Sequence, residues 1–160
     1  MKFNKAALLS NLTEQTQKQA KVVVDSVLNQ IVDGLMFHSP VGQPDEWSRN
    51  PPKDYEQGKY KANWQYGFNE AKTGVLDMRD ESDMMKLNSS TSKYLKKEIK
   101  VNKNIVGTHH FTNNVSYAEA IEFGSAIHNP QAQSKPHAVA GKVAQNIESY
   151  IAKAKSGVVK

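Results

Sequence analysis

The sequence predicts an α+β fold: a long N-terminal helix and a C-terminal helix packed on a small antiparallel β-sheet, with long inserted loops. Three observations predict it. Val24, Val27, Leu28, Ile31 and Leu35 recur at helical spacing in a stretch without proline. Tyr60, Ala62, Trp64, Tyr66 and Phe68 alternate with Lys59, Lys61, Asn63, Gln65 and Asn69, which is the period of a strand with one apolar face. Ala138, Val139, Val143, Ala144, Ile147, Tyr150 and Ile151 form a second helical stripe near the C-terminus.

The first helix is expected over residues 1–38, as one long helix or two coaxial ones. It has no glycine before Gly34, and Gly34 with Ser39-Pro40 ends it. Its apolar stripe is interrupted, because Leu8, Leu9 and Leu12 lie before a wholly polar run from Thr13 to Gln19. Some 34 residues of helix span roughly 50 Å, more than a domain of this size needs. The helix is therefore expected to project or to pack on a neighbouring subunit. Residues 42–58, with Pro44, Pro51 and Pro52, read as an extended loop.

Residues 59–112 are expected to hold the sheet and a basic helix. The aromatic face of the first strand is expected to pack against the first helix. Asn69 to Gly74 reads as a hairpin loop, with Val75-Leu76-Asp77-Met78 as the return strand. Asp80 to Ser92 is loop-like, and Ser92 or Thr91 is a candidate cap for a short helix through Tyr94, Leu95 and Ile99. Ile105 to Thr112 reads as another strand, followed by an Asn113-Asn114 turn and a helical turn over 117–124. Residues 128–136 read as a loop, 136–155 as the C-terminal helix, and the basic tail beyond Lys153 as frayed. A length of 160 residues favours a single domain over 1–160.

Composition excludes several functions. The chain has no cysteine, which removes disulfides, thiolate zinc sites and a cysteine nucleophile. No apolar run approaches the ~18 residues of a membrane span, so no membrane partner is expected. Met1 to Leu9 starts like a signal peptide but turns polar by Asn11 and lacks the apolar core of one. The net charge of +5 is unevenly spread. Lys86, Lys93, Lys96, Lys97, Lys100 and Lys103 crowd a segment whose one acid is Glu98. Such a segment is either a solvated helix face or a contact for a polyanion.

No constellation suits catalysis, and no enzyme, cofactor or metal is expected. His109 and His110 are neighbours on a strand and point to opposite faces, so they cannot chelate one ion. His128 and His137 flank a loop without carboxylates. Asp77, Asp80, Glu81 and Asp83 lack the spacing of a calcium loop and read as a solvated turn. No serine sits in Gly-x-Ser-x-Gly, and no glycine-rich phosphate loop occurs. The aromatic face of 60–68 reads as core rather than as a stacking platform for bases, because Lys59 and Lys61 fall on the opposite face.

Three segments carry a resemblance. Ser39-Pro40-Val41 follows a long helix and precedes Gly58-Lys59-Tyr60-Lys61-Ala62-Asn63-Trp64. Thr112-Asn113-Asn114-Val115-Ser116-Tyr117-Ala118-Glu119-Ala120-Ile121-Glu122-Phe123-Gly124 is the most specific, and a proline-led segment from Pro136 to Tyr150 closes the set. In this order they resemble the neck, or tail-completion, family of tailed bacteriophages (head–tail joining and minor tail proteins). The resemblance implies a non-enzymatic virion protein, assembled in the host bacterial cytoplasm. It implies a six-fold or twelve-fold homo-oligomeric ring joining the head-side connector or adaptor to the tail terminator or tail tube, around the genomic DNA. The interface and motif residues it implies are Ser39, Pro40, Gly58, Lys59, Lys61, Trp64, Asn113, Asn114, Tyr117, Glu119, Glu122, Phe123 and Gly124. Tyr117 and Phe123 would be anchors, and Glu119 and Glu122 intersubunit contacts. Lys93, Lys96, Lys97, Lys100 and Lys103 are candidates to face DNA. A tail terminator capping the tail tube, or a basic nucleic-acid-binding module, are the alternatives.

Overall fold

The computed structural model describes residues 5–42, 54–82, 87–124 and 136–158, with side chains from residue 12 to residue 157 within those spans. The fold is α+β. In chain order it comprises α1 (Lys5–His38), α2 (Lys59–Ala62), β1 (Trp64–Phe68), α3 (Ser90–Val101), β2 (His109–Asn113), α4 (Ala118–Phe123), α5 (Val139–Gln145) and α6 (Ile147–Val158). Much of the expected loop over 42–58, most of the 128–136 loop, Asp83 and His128 lie outside the described residues.

Helix α1 is the spine. Its C-terminal half buries Leu28, Val32, Leu35 and Met36, while residues 12–19 are all exposed. It packs along α3, α5 and α6. Gly34 lets the C-terminal helices approach: a Cβ there would lie 2.8 Å from Tyr150 Oη and 3.0 Å from Val143 Cγ2. The expected C-terminal helix is broken into α5 and α6 at Asn146, whose side-chain amide turns back to the Lys142 carbonyl at 2.8 Å.

The expected strand over 60–68 begins as helix. Gly58 takes a left-handed conformation (φ 73°, ψ −7°), and its carbonyl accepts from Ala62 N at 3.0 Å, so Lys59–Ala62 wind into one turn. Only Trp64–Phe68 is extended, and its partner is β2, antiparallel, in the register Trp64↔Asn113 to Phe68↔His109. Val75 to Met78 is not a strand. Side chains of the preceding strand region hold it instead: Leu76 N donates to Asn63 Oδ1 at 2.6 Å, Asn63 Nδ2 donates to the Leu76 carbonyl at 3.2 Å, and just before the segment Gln65 Nε2 donates to the Gly74 carbonyl at 3.0 Å. This segment covers the second face of β1, which is why Lys61, Asn63 and Gln65 are buried and the one-faced reading of 60–68 fails. The aromatic residues Tyr60, Trp64 and Tyr66 share one core with Leu28, Val32, Leu35 and Met36 of α1, as expected. Strand β1 packs on α3, and α3 on α1.

Helix α3 begins one turn earlier than the sequence suggests. Its N-cap is Ser89, whose Oγ accepts from Ser92 N at 3.2 Å; Thr91 and Ser92 are buried within the helix. One core joins the α1 residues to Tyr60, Trp64, Tyr66, Leu95, Ile99, Val115, Tyr117, Val139 and Val143.

Candidate interaction surfaces

The motif residues separate into an inward set and an outward set. The inward set ties distant segments together. Trp64 Nε1 donates to Ser39 Oγ at 2.8 Å, a fully buried bond between the end of α1 and the start of β1. Pro40 is buried beside it. Asn113 Nδ2 donates to the Tyr60 carbonyl at 2.8 Å, and Asn114 Nδ2 to the Lys72 carbonyl at 3.0 Å. Tyr60 Oη donates to Glu122 Oε1 at 2.7 Å, and Glu122 also accepts from Ala140 N at 3.1 Å. Burial, with the Glu122 carboxylate alongside, pushes the Tyr60 phenol far up. Glu122 is therefore a brace within the chain between α2, α4 and α5. Tyr117 is also core. Its ring lies 5.5 Å from that of Tyr55, and burial pushes its hydroxyl up to about 12.

Lys59 and Lys61 differ although they are two residues apart. Lys59 reaches the solvent side and pairs with Glu56 at 2.9 Å. The hydrogen bond from Lys59, then that from Arg79, holds the Glu56 carboxyl below its usual range. Lys61 is fully buried and donates to the Ser82 carbonyl at 2.9 Å and to Ser82 Oγ at 3.2 Å. Ser82 in turn hydrogen-bonds Asp80 through both its amide and its hydroxyl. Asp80 is only 4% exposed and accepts from Thr91 N at 3.2 Å in the first turn of α3. Burial opposes its charge, but the hydrogen bonds from Ser82, Ser89 and Thr91 outweigh it and hold the carboxyl well below the usual range. The solvated turn expected at Asp80 is thus a buried anchor. Its signal in the sequence is faint: one acid upstream of the Ser-rich start of a helix. A Cβ on Gly58 would meet the Asp80 backbone at 2.8 Å, so the glycine is required for this packing as well as for its φ.

The outward set is smaller. Phe123 is 63% exposed, so it does not anchor the turn to the sheet. Glu119, one helical turn before it, is exposed too. Gly124 follows with φ 83°, ending α4. Among the lysines, Lys96 is bound to Asp33 of α1 at 2.5 Å, which ties α3 to the spine. Lys93, Lys97 and Lys100 are exposed on α3, and Lys103 is exposed just beyond it. At spacings of four and three residues, the three helical lysines share one face.

His109 packs on Tyr66, with its Nδ1 2.8 Å from the Tyr66 hydroxyl. Among the described residues no group of three His, Asp or Glu is placed to hold a metal ion, and no helix is long and apolar enough to cross a membrane. No family model matches the chain, and neither a curated protein nor a solved structure matches it.

Proposed function

We propose that this chain is a non-enzymatic structural subunit of a ring in the neck of a tailed phage, joining the head connector to the tail around the DNA channel. The observation that supports the reading is the way the resembling segments meet. Ser39-Pro40, Gly58–Trp64, Asn113–Glu122 and the segment after Pro136 are far apart in sequence, yet they converge through the Ser39–Trp64, Asn113–Tyr60, Tyr60–Glu122 and Glu122–Ala140 bonds. A set of residues that braces one scaffold is the kind of pattern a structural family keeps for shape. The outward features suit a building block: a helix that projects beyond its core, an exposed aromatic residue and a face of lysines.

The partners in this reading are further copies of the chain, the connector or adaptor above, the tail terminator or tail tube below, and genomic DNA. Its location is the virion, after assembly in the host cytoplasm. The test is particle assembly without this chain. Full heads lacking attached tails are the expected product, and intact head–tail joining in its absence would end the proposal.

A further inference from the structure

Strand β2 is open along one edge. The Asn69 amide donates to the Thr108 carbonyl at 2.7 Å, one step beyond the register that ends at Phe68↔His109. That bond sets the phase of the antiparallel ladder, in which alternate pairs exchange the hydrogen bonds. Gly67↔His110 and Gln65↔Thr112 are those pairs. The amides and carbonyls of His109, Phe111 and Asn113 therefore point away from β1. No backbone or side-chain group among the described residues bonds to them. All of β2 is half-buried, whereas Trp64 to Gly67 of β1 are closed to solvent. The sequence His109 to Asn113 contains no lysine, arginine, acid or proline, so it lacks the side chains that blunt exposed edges. A two-stranded sheet with such an edge is a template for a further strand.

We infer that the further strand is β2 of a second copy, antiparallel and centred on Phe111. The outward groups lie at alternate residues, symmetrically about Phe111. A two-fold axis there pairs Phe111 with Phe111 and His109 with Asn113, and each such pair exchanges two hydrogen bonds. Every outward group of both edges is then satisfied at once. The side chains favour a copy for their own reason. Phe111 is only partly buried against the core, with its ring 5.5 Å from that of Tyr66. Self-pairing sets its counterpart directly across the two-fold and joins the two aromatic clusters, a favourable cross-strand match. On the other face His110 comes opposite Thr112. Because the strand carries no lysine, arginine or acid, two copies bring no such charges face to face at neutral pH. The contact uses the same surface on both partners, so it is isologous and closes as a dimer. It goes beyond the neck reading and does not rest on it.

The test exploits the absence of cysteine, which makes an introduced thiol unique in the full chain. In the proposed pair, position 110 stands opposite position 112 of the second copy at a non-hydrogen-bonded site. Cα atoms there are about 4.5 Å apart, within disulfide reach. An oxidised mixture of H110C and T112C should therefore crosslink roughly ten-fold faster than either variant alone, whose thiols would sit on a diagonal of about 7–8 Å. K155C, exposed on α6, gives the collisional background. Sedimentation velocity of the wild type from about 1 µM to about 1 mM, a range that covers weak interfaces, should show a dimer. H110E sets two carboxylates diagonally across the two-fold and should weaken that dimer by roughly three-fold. T112C gives up the bond from Thr112 Oγ1 to the Lys72 carbonyl; if its far-UV spectrum shows misfolding, the wild type and H110E decide by sedimentation. A wild type that stays monomeric at about 1 mM overturns the inference and leaves the edge to a strand of another protein. A mixture that crosslinks no faster than K155C, or than its separate components, overturns it too, as does H110E dimerising as tightly as the wild type.

Discussion

At the scale of single residues, His109, His38 and Asp80 shape how the protein responds to acid. Asn102 Nδ2 donates to the Tyr66 hydroxyl at 2.8 Å, so the one proton of that hydroxyl is directed at His109 Nδ1, also 2.8 Å away. Burial pushes the His109 pKa below the ordinary 6.5, against a smaller opposing effect from the Ile105 backbone. His38 is shifted the same way by burial and by Lys142. The unfolded chain then binds more protons than the folded one below about pH 6.5, so this stabilisation is complete above that pH and is lost as pH falls. The urea midpoint should be flat above about pH 7 and fall between about 6.5 and 5. In His109→Gln the slope in that window should shrink; an unchanged slope would remove His109 from the account. Asp80 acts lower, because its depressed pKa gives stability that is present above about 3.8 and lost as pH falls through the folded value. Asp80→Ala leaves the Ser82 and Thr91 amides without their acceptor. It should cost roughly 2–3 kcal/mol in urea unfolding at neutral pH.

At the scale of elements, stability and shape are divided along α1. Its exposed residues 12–19 contribute little burial, whereas Leu28 to Met36 are in the core. A chain beginning at Ala20 should lose helical signal while its unfolding free energy changes by no more than about 0.5 kcal/mol. A loss of several kcal/mol would mean that the projecting half packs on its own domain. Ser89→Ala, by contrast, removes the α3 cap and should cost about 1 kcal/mol. The helices were legible in the sequence because a 3.6-residue stripe records which side is buried, as it did for Val24–Leu35 and for Val139–Ile151. The break at Asn146 was not, since both halves continue the same stripe. The sheet was legible only in part. An alternating pattern reports a strand when one face meets water, but residues 74–82 cover the other face of β1, so Lys61, Asn63 and Gln65 are buried polar groups with partners of their own. The true pairing of β1 with β2 joins residues more than 40 positions apart, and no local pattern encodes that. The same limit applied to the motif: Glu119 and Glu122 look alike in sequence, and only the fold turns one to Tyr60 and leaves the other at the surface.

At the scale of the whole molecule, the net charge of +5 matters less than where it sits. The buried side of α3 holds Thr91, Ser92, Leu95 and Ile99, which fixes Lys93, Lys97 and Lys100 on the opposite, solvent side. Lys96 is withdrawn from that face by Asp33. Around Arg79, by contrast, the surface carries Glu56, Asp77 and Glu81. A ring subunit whose lysine face lines a channel would meet phosphates there without reading sequence. Contact through three lysines predicts weak binding to duplex DNA, with a slope of log K against log salt of about −2.7. K93E/K97E/K100E should abolish that binding while K153E/K155E, which reverses exposed lysines on α6, leaves the slope in place. Equal loss in both variants would mean that overall charge, not this face, attracts DNA. In assembled particles the same triple reversal should impair DNA retention. Retained DNA in such particles would turn α3 away from the channel and leave the lysines as a solvated helix face.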